Sequence, residues 1–479
     1  MQIVKDKQLR LILIVGFLLR VIPMLIWQKW GCVRDGCTYL RIADRMVEGH
    51  GMTSSNGWLW APGYPALIAL HEQLFSYGNT IRITQVLVSV VITVLVFRLG
   101  SRMGGRRTGL WAAGLYAFSP TMIFFSQSLW SECLYSGLLL LAVYCYDRAK
   151  STDTMMLRWA CVVGVLVGIC VLFRGVATYM LPIFGVALLW SRMREWVAWK
   201  QVFVMFLAAG CIVAPYSIYA TNKFETFIVS DKTIGQMMWM GNNDFEPMTF
   251  DWGNGQLSGV AYKRHKEHGR NNCPANPCSK KALKKNIFSS ACRGGTEAKI
   301  KRLNEWAIER EECQLKEGVS WIKSNPETFV SRMPMRVAQM VNPHSFLTRH
   351  LRSGKWPGLP QFVDEVLILC NVLFSFAVLW GGTAVLCLRG KGGRGLLIGG
   401  VLLYHVAAIS LLAGLTRYRV PLEPLLMLYL AWGIADWQGT KKIASEQRWR
   451  LALLCVVMLF LIPLTLWFFP TGWSWWRHW

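Results

Sequence analysis

The chain has 479 residues, of which 53% are hydrophobic and only 16% charged, with a mean hydropathy of +0.32. That balance excludes an ordinary soluble domain, which would carry about a quarter charged residues. The net charge of +25 would suit a nucleic-acid partner, but its placement along the chain is a membrane-orientation signal and excludes that class.

Apolar stretches of about 17–25 residues, the length that crosses a hydrocarbon core, recur from end to end. In chain order they predict eleven spans at roughly 9–27, 80–99, 108–126, 129–146, 157–173, 176–191, 201–219, 362–388, 396–413, 420–436 and 450–469. The first is read as a transmembrane helix rather than a cleaved leader. It is long, contains Arg20 and Pro23, and ends in Trp27-Gln28-Lys29-Trp30 without a small-residue cleavage site. With the N-terminus inside, the inner segments hold Lys5, Lys7 and Arg10, then Arg98, Arg102, Arg106 and Arg107. Arg148, Lys150 and Arg158 follow, then Arg192, Arg194 and Lys200, then Arg389, Lys391 and Arg394, and last Lys441, Lys442, Arg448 and Arg450. The short outer gaps are nearly free of Lys and Arg, as the positive-inside rule requires. Trp27, Trp111, Trp130, Trp190 and Trp467 stand at span ends as an aromatic belt. The expected fold class is an all-α polytopic membrane bundle of about 11 helices with its C-terminus outside.

Two outer segments, about 28–79 and 220–361, are too long to be mere connectors. They divide the chain into an N-terminal membrane region (1–219), an extracytoplasmic loop region (220–361) and a C-terminal membrane region (362–479). The stretch 260–302, with Lys263-Arg264, Lys280-Lys281 and Lys284-Lys285, reads as a basic, cysteine-bearing insertion. A helical pattern follows over 304–340, with a fresh start at Asn325-Pro326. Of fourteen cysteines, Cys145, Cys161, Cys170, Cys211, Cys370, Cys387 and Cys455 lie in or at the ends of spans as packing residues. Cys32, Cys37, Cys273, Cys278, Cys292 and Cys313 fall outside, where disulfides are expected: at least one in the large loop, and a Cys32–Cys37 pairing in the first.

The chemistry-bearing residues lie at the outer face. Asp35 follows the first span, and Glu132 opens the fourth after a very short turn. Arg174 occupies the turn between the fifth and sixth spans. Arg417 and Arg419 lie between the ninth and tenth with Glu423 one turn inward, and Arg20 is in the outer half of the first. Ionisable residues at such depth face a protein or water-filled interior and mark function unless they are interhelical ion pairs. A guanidinium fork suits a phosphate, and a carboxylate beside a bound phosphate ester can take the proton of an incoming hydroxyl. Asp44 and Glu48 read as solvated or paired with Arg41 and Arg45. No DxD pair, HExxH, nucleophile elbow or Walker A stands in a fitting context, so a divalent metal is not indicated and no cofactor is required.

With these residues in place, the chain resembles the polyprenol-dependent GT-C glycosyltransferases of the family-39 type. That group includes the protein O-mannosyltransferases, the lipid A aminoarabinose transferase and many bacterial relatives. Asp35 with Tyr39, Ala43 and Gly49-His50-Gly51 is similar to the first-loop aspartate and its followers, and Pro62-Gly63-Tyr64-Pro65 to the turn that ends that loop. Ser131-Glu132-Cys133-Leu134 resembles a Ser/Thr-Glu-Pro-Leu element, and Leu172-Phe173-Arg174 the arginine after the fifth span. Pro215-Tyr216 through Gly241-Asn242-Asn243 is similar to the entry into the large loop. Arg417-Tyr418-Arg419-Val420-Pro421-Leu422-Glu423-Pro424 resembles an Arg-Tyr-Arg-Leu-Pro-Leu-Glu-Pro element. Departures are Cys133 for proline, Gly175-Val176 for Pro-Thr, and Tyr219-Ala220 for Arg-Asn.

The resemblance implies a GT-C bundle that moves a sugar from a polyprenyl-phosphate donor to a lipid, glycan or protein acceptor, by inverting single displacement. Asp35 would be the base and Glu132 would orient the acceptor or the Asp35 loop. Arg174, Arg417 and Arg419 would meet the phosphate, with Tyr64, Glu423 and Arg20 as further substrate-binding candidates. A bacterial inner membrane, with the site toward the periplasm, is the expected location. The competing reading from another class is a transporter or flippase of a lipid-linked sugar.

Overall fold

The computed structural model describes residues 6–27, 32, 35–52, 60–76, 78–151, 155–190, 192–244, 250–251, 256–257, 273–274, 296–352, 356 and 359–466. Most of the 260–302 insertion lies outside these residues, as do Cys278, Cys292, Trp467 and the tail beyond it. The described chain is helical apart from one short antiparallel ladder, Phe250–Asp251 with Gln256–Leu257. Among the described residues, seven helices are long and apolar enough to cross a membrane, or eight when one bent pair is counted as a span. Phe203, Leu403, Leu459 and Phe460 are each about 70% exposed, an outward apolar surface that only a lipid environment would cover at this scale.

The first span is the helix Lys7–Ile26, capped by Asp6, whose carboxylate accepts from Leu9 N at 3.1 Å. Arg20 is fully buried in it and staples it to its neighbour. Its Nε donates to Ser89 Oγ at 2.7 Å, and its Nη1 to the carbonyls of Gly16 at 2.8 Å and Ala117 at 2.9 Å.

The second and third expected spans form one run, Ile81–Phe118, that doubles back at Gly104-Gly105. Gly105 has φ +82°, which a side chain would strain. The two arms touch through small residues: a Cβ on Gly100 would lie 3.1 Å from both Ala112 Cβ and Gly109 Cα. After Ser119 comes the short helix Pro120–Gln127, its start fixed by the Ser119 cap and by proline in the first turn. The following helix, Glu132–Ser151, leaves at 114° to it. The corner Ser128–Ser131 is thereby pushed into the interior. The helices Met156–Phe173, Trp196–Phe224 and Gly392–Leu411, and the run Gln361–Arg389, match expected spans. Two others are shorter than expected. Gly175–Leu189 opens with a 3₁₀ turn, and Glu423–Ala435 has 13 residues. The last described span is Arg448–Leu466.

At the basic ends, Asp147 is shared by Arg102 (2.6 Å) and Arg394, while Asp6 pairs with Arg106 at 2.8 Å and Asp436 with Arg389. At the other end lie the loop helices. Asp35–Val47 packs on Gly63–Phe75, and Cys32 is bonded to Cys37. In the large loop, Cys273 is bonded to Cys313 on the long helix Thr296–Ser324. Glu311 of that helix caps the helix Ile234–Gly241, accepting from the backbone N–H of Gly235 and, at 3.2 Å, of Gln236.

Accessibility labelling of cysteines introduced at Arg106, Lys150 and Lys391 should report the inner side for all three, and an outer signal at any one would invert the topology. A second test concerns Glu311. Burial, against the two N–H donors and Arg310, raises its carboxyl to about 7. The folded state therefore holds a proton that the unfolded chain releases at an ordinary carboxylate pH. Stability from this group is complete below about pH 4.3 and is lost as pH rises through about 7. Glu311→Gln keeps an acceptor and removes the titration. Its melting temperature should gain on wild type between pH 5 and pH 8, and a flat or opposite difference would refute the assignment.

Candidate active site

Four elements remote in sequence deliver charge to one place, at the end of the bundle opposite the basic helix ends. Asp35 opens the helix Asp35–Val47, whose start is pressed onto the corner: a Cβ on Gly36 would lie 3.0 Å from Leu129 Cβ and from its carbonyl oxygen. Glu132 opens the helix that leaves that corner. Arg174 ends the helix Met156–Phe173 in an extended conformation, its N–H still returned to Cys170 O at 2.9 Å. Arg417 lies in the 3₁₀ turn Thr416–Arg419.

The charges alternate. Arg417 Nη1 is paired with Asp35 Oδ2, and Arg174 Nη1 with Glu132 Oε1 at 2.6 Å. Tyr418 lies between the two guanidiniums, its ring centre 5.4 Å from Arg417 and 5.8 Å from Arg174. Trp130, 6.0 Å from Arg417, and Tyr135, 5.8 Å from Arg174, add aromatic faces. Exposure separates the pairs: the Glu132 side chain is 2% exposed and Asp35 29%. The Asp35–Arg417 pair is the more accessible of the two.

Burial opposes both arginine cations, yet both pKa values stand above the ordinary one. Burial is the largest single influence at each, and Glu132 with Tyr39 at Arg174, and Asp35 with Tyr418 and Glu132 at Arg417, together outweigh it. Both stay charged at any physiological pH. Arg417 Nε is buried with no hydrogen-bond partner among the described residues, so one donor of its fork remains after Asp35 has taken another.

Tyr39 stands one helical turn after Asp35 and is buried. Burial and then the Glu132 carboxylate hold its phenol well above its usual range, so it is a neutral donor. Its ring meets Trp60 and Tyr64 edge-on, each at 4.9 Å. Asp231, from the large loop, accepts from Gly175 N at 3.1 Å beside Arg174. Burial raises its carboxyl to about 6 against that bond and the Arg174 charge.

Of the residues singled out in the sequence, Asp35, Glu132, Arg174 and Arg417 are brought together. Tyr64 stands one layer behind Tyr39, its hydroxyl donating to Gln85 Oε1 at 3.1 Å. Arg20 is occupied in the staple described above. Arg419 and Glu423 pair with each other at 2.8 Å, 2% and 3% exposed. Arg419 also donates to Asn342 O and, at 3.2 Å, to Ser375 Oγ. These contacts commit both residues to packing. Tyr39, Ser131, Trp130, Tyr418 and Asp231 were not singled out as site residues. The available signal was helical: Tyr39 shares a face with Asp35 at i+4. Among the described residues, no group of three or more His, Cys, Asp or Glu side chains converges as a metal site.

A sequence model described as dolichyl-phosphate-mannose-protein mannosyltransferase matches residues 60–219, about a third of the chain. No curated protein matches in sequence. Among solved structures, the archaeal oligosaccharyltransferase AglB from Archaeoglobus fulgidus, in complex with an inhibitory peptide and a dolichol-phosphate, aligns over 96% of this chain at 14% identity, with a TM-score of 0.51. The alignment covers 54% of AglB, so this chain spans about half of that protein's length. ArnT from Cupriavidus metallidurans bound to undecaprenyl phosphate aligns over 89% of this chain and 79% of its own at 13% identity, with a TM-score of 0.40. The match to AglB over nearly the whole of this chain shows that the chain shares that protein's fold, a helical GT-C-like bundle.

Proposed function

We propose that the chain transfers a sugar from a polyprenyl-phosphate donor to a hydroxyl or phosphate of a lipid, glycan or protein acceptor, on the extracytoplasmic face of a bacterial inner membrane. The observation that carries the reading is the half-buried Asp35–Arg417 pair beside the buried Glu132–Arg174 pair. A base and two cations are what such a transfer requires. The dolichol-phosphate in the AglB complex and the name of the matching family model point to the same donor class.

The step balances as a single displacement. The acceptor oxygen attacks the anomeric carbon as its proton passes to Asp35. The bond from that carbon to the phosphate oxygen breaks, and its electron pair leaves with the polyprenyl phosphate. Arg417 is suited to moving with that charge. Its Nε–H and the donor now spent on Asp35 can both turn to a phosphate oxygen, which releases the carboxylate for the incoming hydroxyl. Arg174, fixed by Glu132 and flanked by Tyr135 and Tyr418, supplies a second, preorganised positive charge. Glu132 holds Arg174 in place and, beside Tyr39, borders the acceptor side.

The test is release of free polyprenyl phosphate from a defined polyprenyl-phosphate sugar by the purified protein. Asp35→Asn keeps the shape and removes the base, so turnover should fall by about 10²–10⁴-fold with folding and donor binding retained. Arg174→Ala and Arg417→Ala should weaken donor binding, turnover or both, and Arg417→Lys should recover only part because a point charge cannot replace a fork. Near-normal turnover by Asp35→Asn would refute the base. Passage of the intact donor across a vesicle membrane without any release would replace the reading with a carrier.

A further inference from the structure

Three helix C-termini meet beside the turn that carries Arg417: Gly241 of Ile234–Gly241, Val341 of Pro326–Val341, and Leu411 of Gly392–Leu411. Each leaves carbonyls that its own helix cannot satisfy and the negative end of a helix dipole. Two buried arginines serve all three. Arg336, 1% exposed, donates through Nη1 to Ser410 O at 2.7 Å and Leu411 O at 3.3 Å. Through Nη2 it donates to Gly241 O at 2.6 Å and Asn242 Oδ1 at 2.8 Å. Arg419 answers in the opposite direction, from the turn to the end of the loop helix, donating to Asn342 O and, at 3.4 Å, to Met340 O. Asn242 Nδ2 adds a bond to Leu411 O at 3.1 Å.

The backbones are in close contact at this junction. A Cβ on Gly414 would collide with the carbonyl of Arg336, and one on Gly241 with that of Leu412. The segment Leu412–Leu415, which leads into the Arg417 turn, is therefore packed against the large loop, while the Leu412 N–H bonds back to Ala408 O and Ile409 O of the span before it.

Resting on the glycosyltransferase reading, we propose that Arg336 is a positioning residue. From the outer loop, it sets where Arg417 stands relative to Asp35. Its side chain touches neither residue. It acts by tying the end of Gly392–Leu411 to Ile234–Gly241, with Arg419 closing the clamp from the turn. A shift of about 1 Å at a reacting group can cost roughly 10²-fold in rate, so losing this clamp should be felt in kcat.

The experiment is hydrogen exchange on the full-length protein in nanodiscs, alongside donor turnover. In Arg336→Met, peptides covering 412–419 should exchange at least about tenfold faster than in wild type, with the Ile81–Phe118 hairpin unchanged, because the opened segment loses its local protection. kcat should fall more than the donor KM rises, and Arg336→Lys should restore part of it, since a lysine can serve one side of the junction but not both. Gly414→Ala tests the same junction with the arginine intact, should the methionine variant fail to fold. Its added Cβ must displace Leu412–Leu415, and it should show the same local exchange. Unchanged exchange over 412–419 in whichever variants fold would overturn the proposal. If wild type released no polyprenyl phosphate, the glycosyltransferase reading would fail, and with it the role in positioning a reaction, while the exchange data would still report on the clamp itself.

Discussion

A guanidinium removed from water must have its charge answered nearby, and at the candidate site Arg174 and Arg417 are each answered by a carboxylate from another part of the chain. Asp35 and Arg417 are 382 residues apart in sequence, and Glu132 and Arg174 join the start of one helix to the end of the next. Breaking a buried pair by removing one partner costs about 3–5 kcal/mol, because the remaining charge is left uncompensated. The pairs therefore fix the relative placement of the first outer loop, the Ser128–Ser131 corner, the Arg174 turn and the Thr416–Arg419 turn. The same pairing leaves positive charge beside a carboxylate, which a phosphate ester and an attacking hydroxyl both require.

The supporting structure follows from that constraint. The bend after Gln127 drives Leu129 and Trp130 inward, and Gly36 lets the Asp35 helix sit against them without a side chain between. The hairpin at Gly104-Gly105 and the Arg20 staple fix the arms from which that corner emerges. On the other side the large loop does more than cover the site. Through Glu311 it sets the start of Ile234–Gly241, and through Arg336 its end. The loop thus bonds both ends of one short helix that packs against the segment leading into the Arg417 turn.

Much of this was legible in the sequence because the membrane imposes a strong code. Span length and the alternation of Lys and Arg located most of the helices, and the outer cysteines marked both disulfides seen here. Length failed where helices break. Gly175–Tyr179 adopts a 3₁₀ turn after Arg174 and Glu423–Ala435 is short, and hydropathy does not distinguish either from a full crossing. For the candidate site, the depth of a charge singled out Asp35, Glu132, Arg174 and Arg417, which the structure brings together, but the same signal marked Arg20, Arg419 and Glu423, which bond helices together. Depth reports that a charge is buried, whereas function depends on where its fork points. Arg336 gave the opposite difficulty. It lies in a polar loop among other charged residues and reads as solvated, because the carbonyls it satisfies belong to helix ends far away in sequence.

The central claim is that one carboxylate acts as base while the phosphate leaves, with no protein nucleophile in between. The configuration of the transferred sugar reports on this directly. One displacement inverts the anomeric centre, whereas a covalent glycosyl-enzyme intermediate would restore it. Proton NMR of the anomeric position in a product made from a donor of known configuration should show inversion in every transferred residue, and retention would contradict the account.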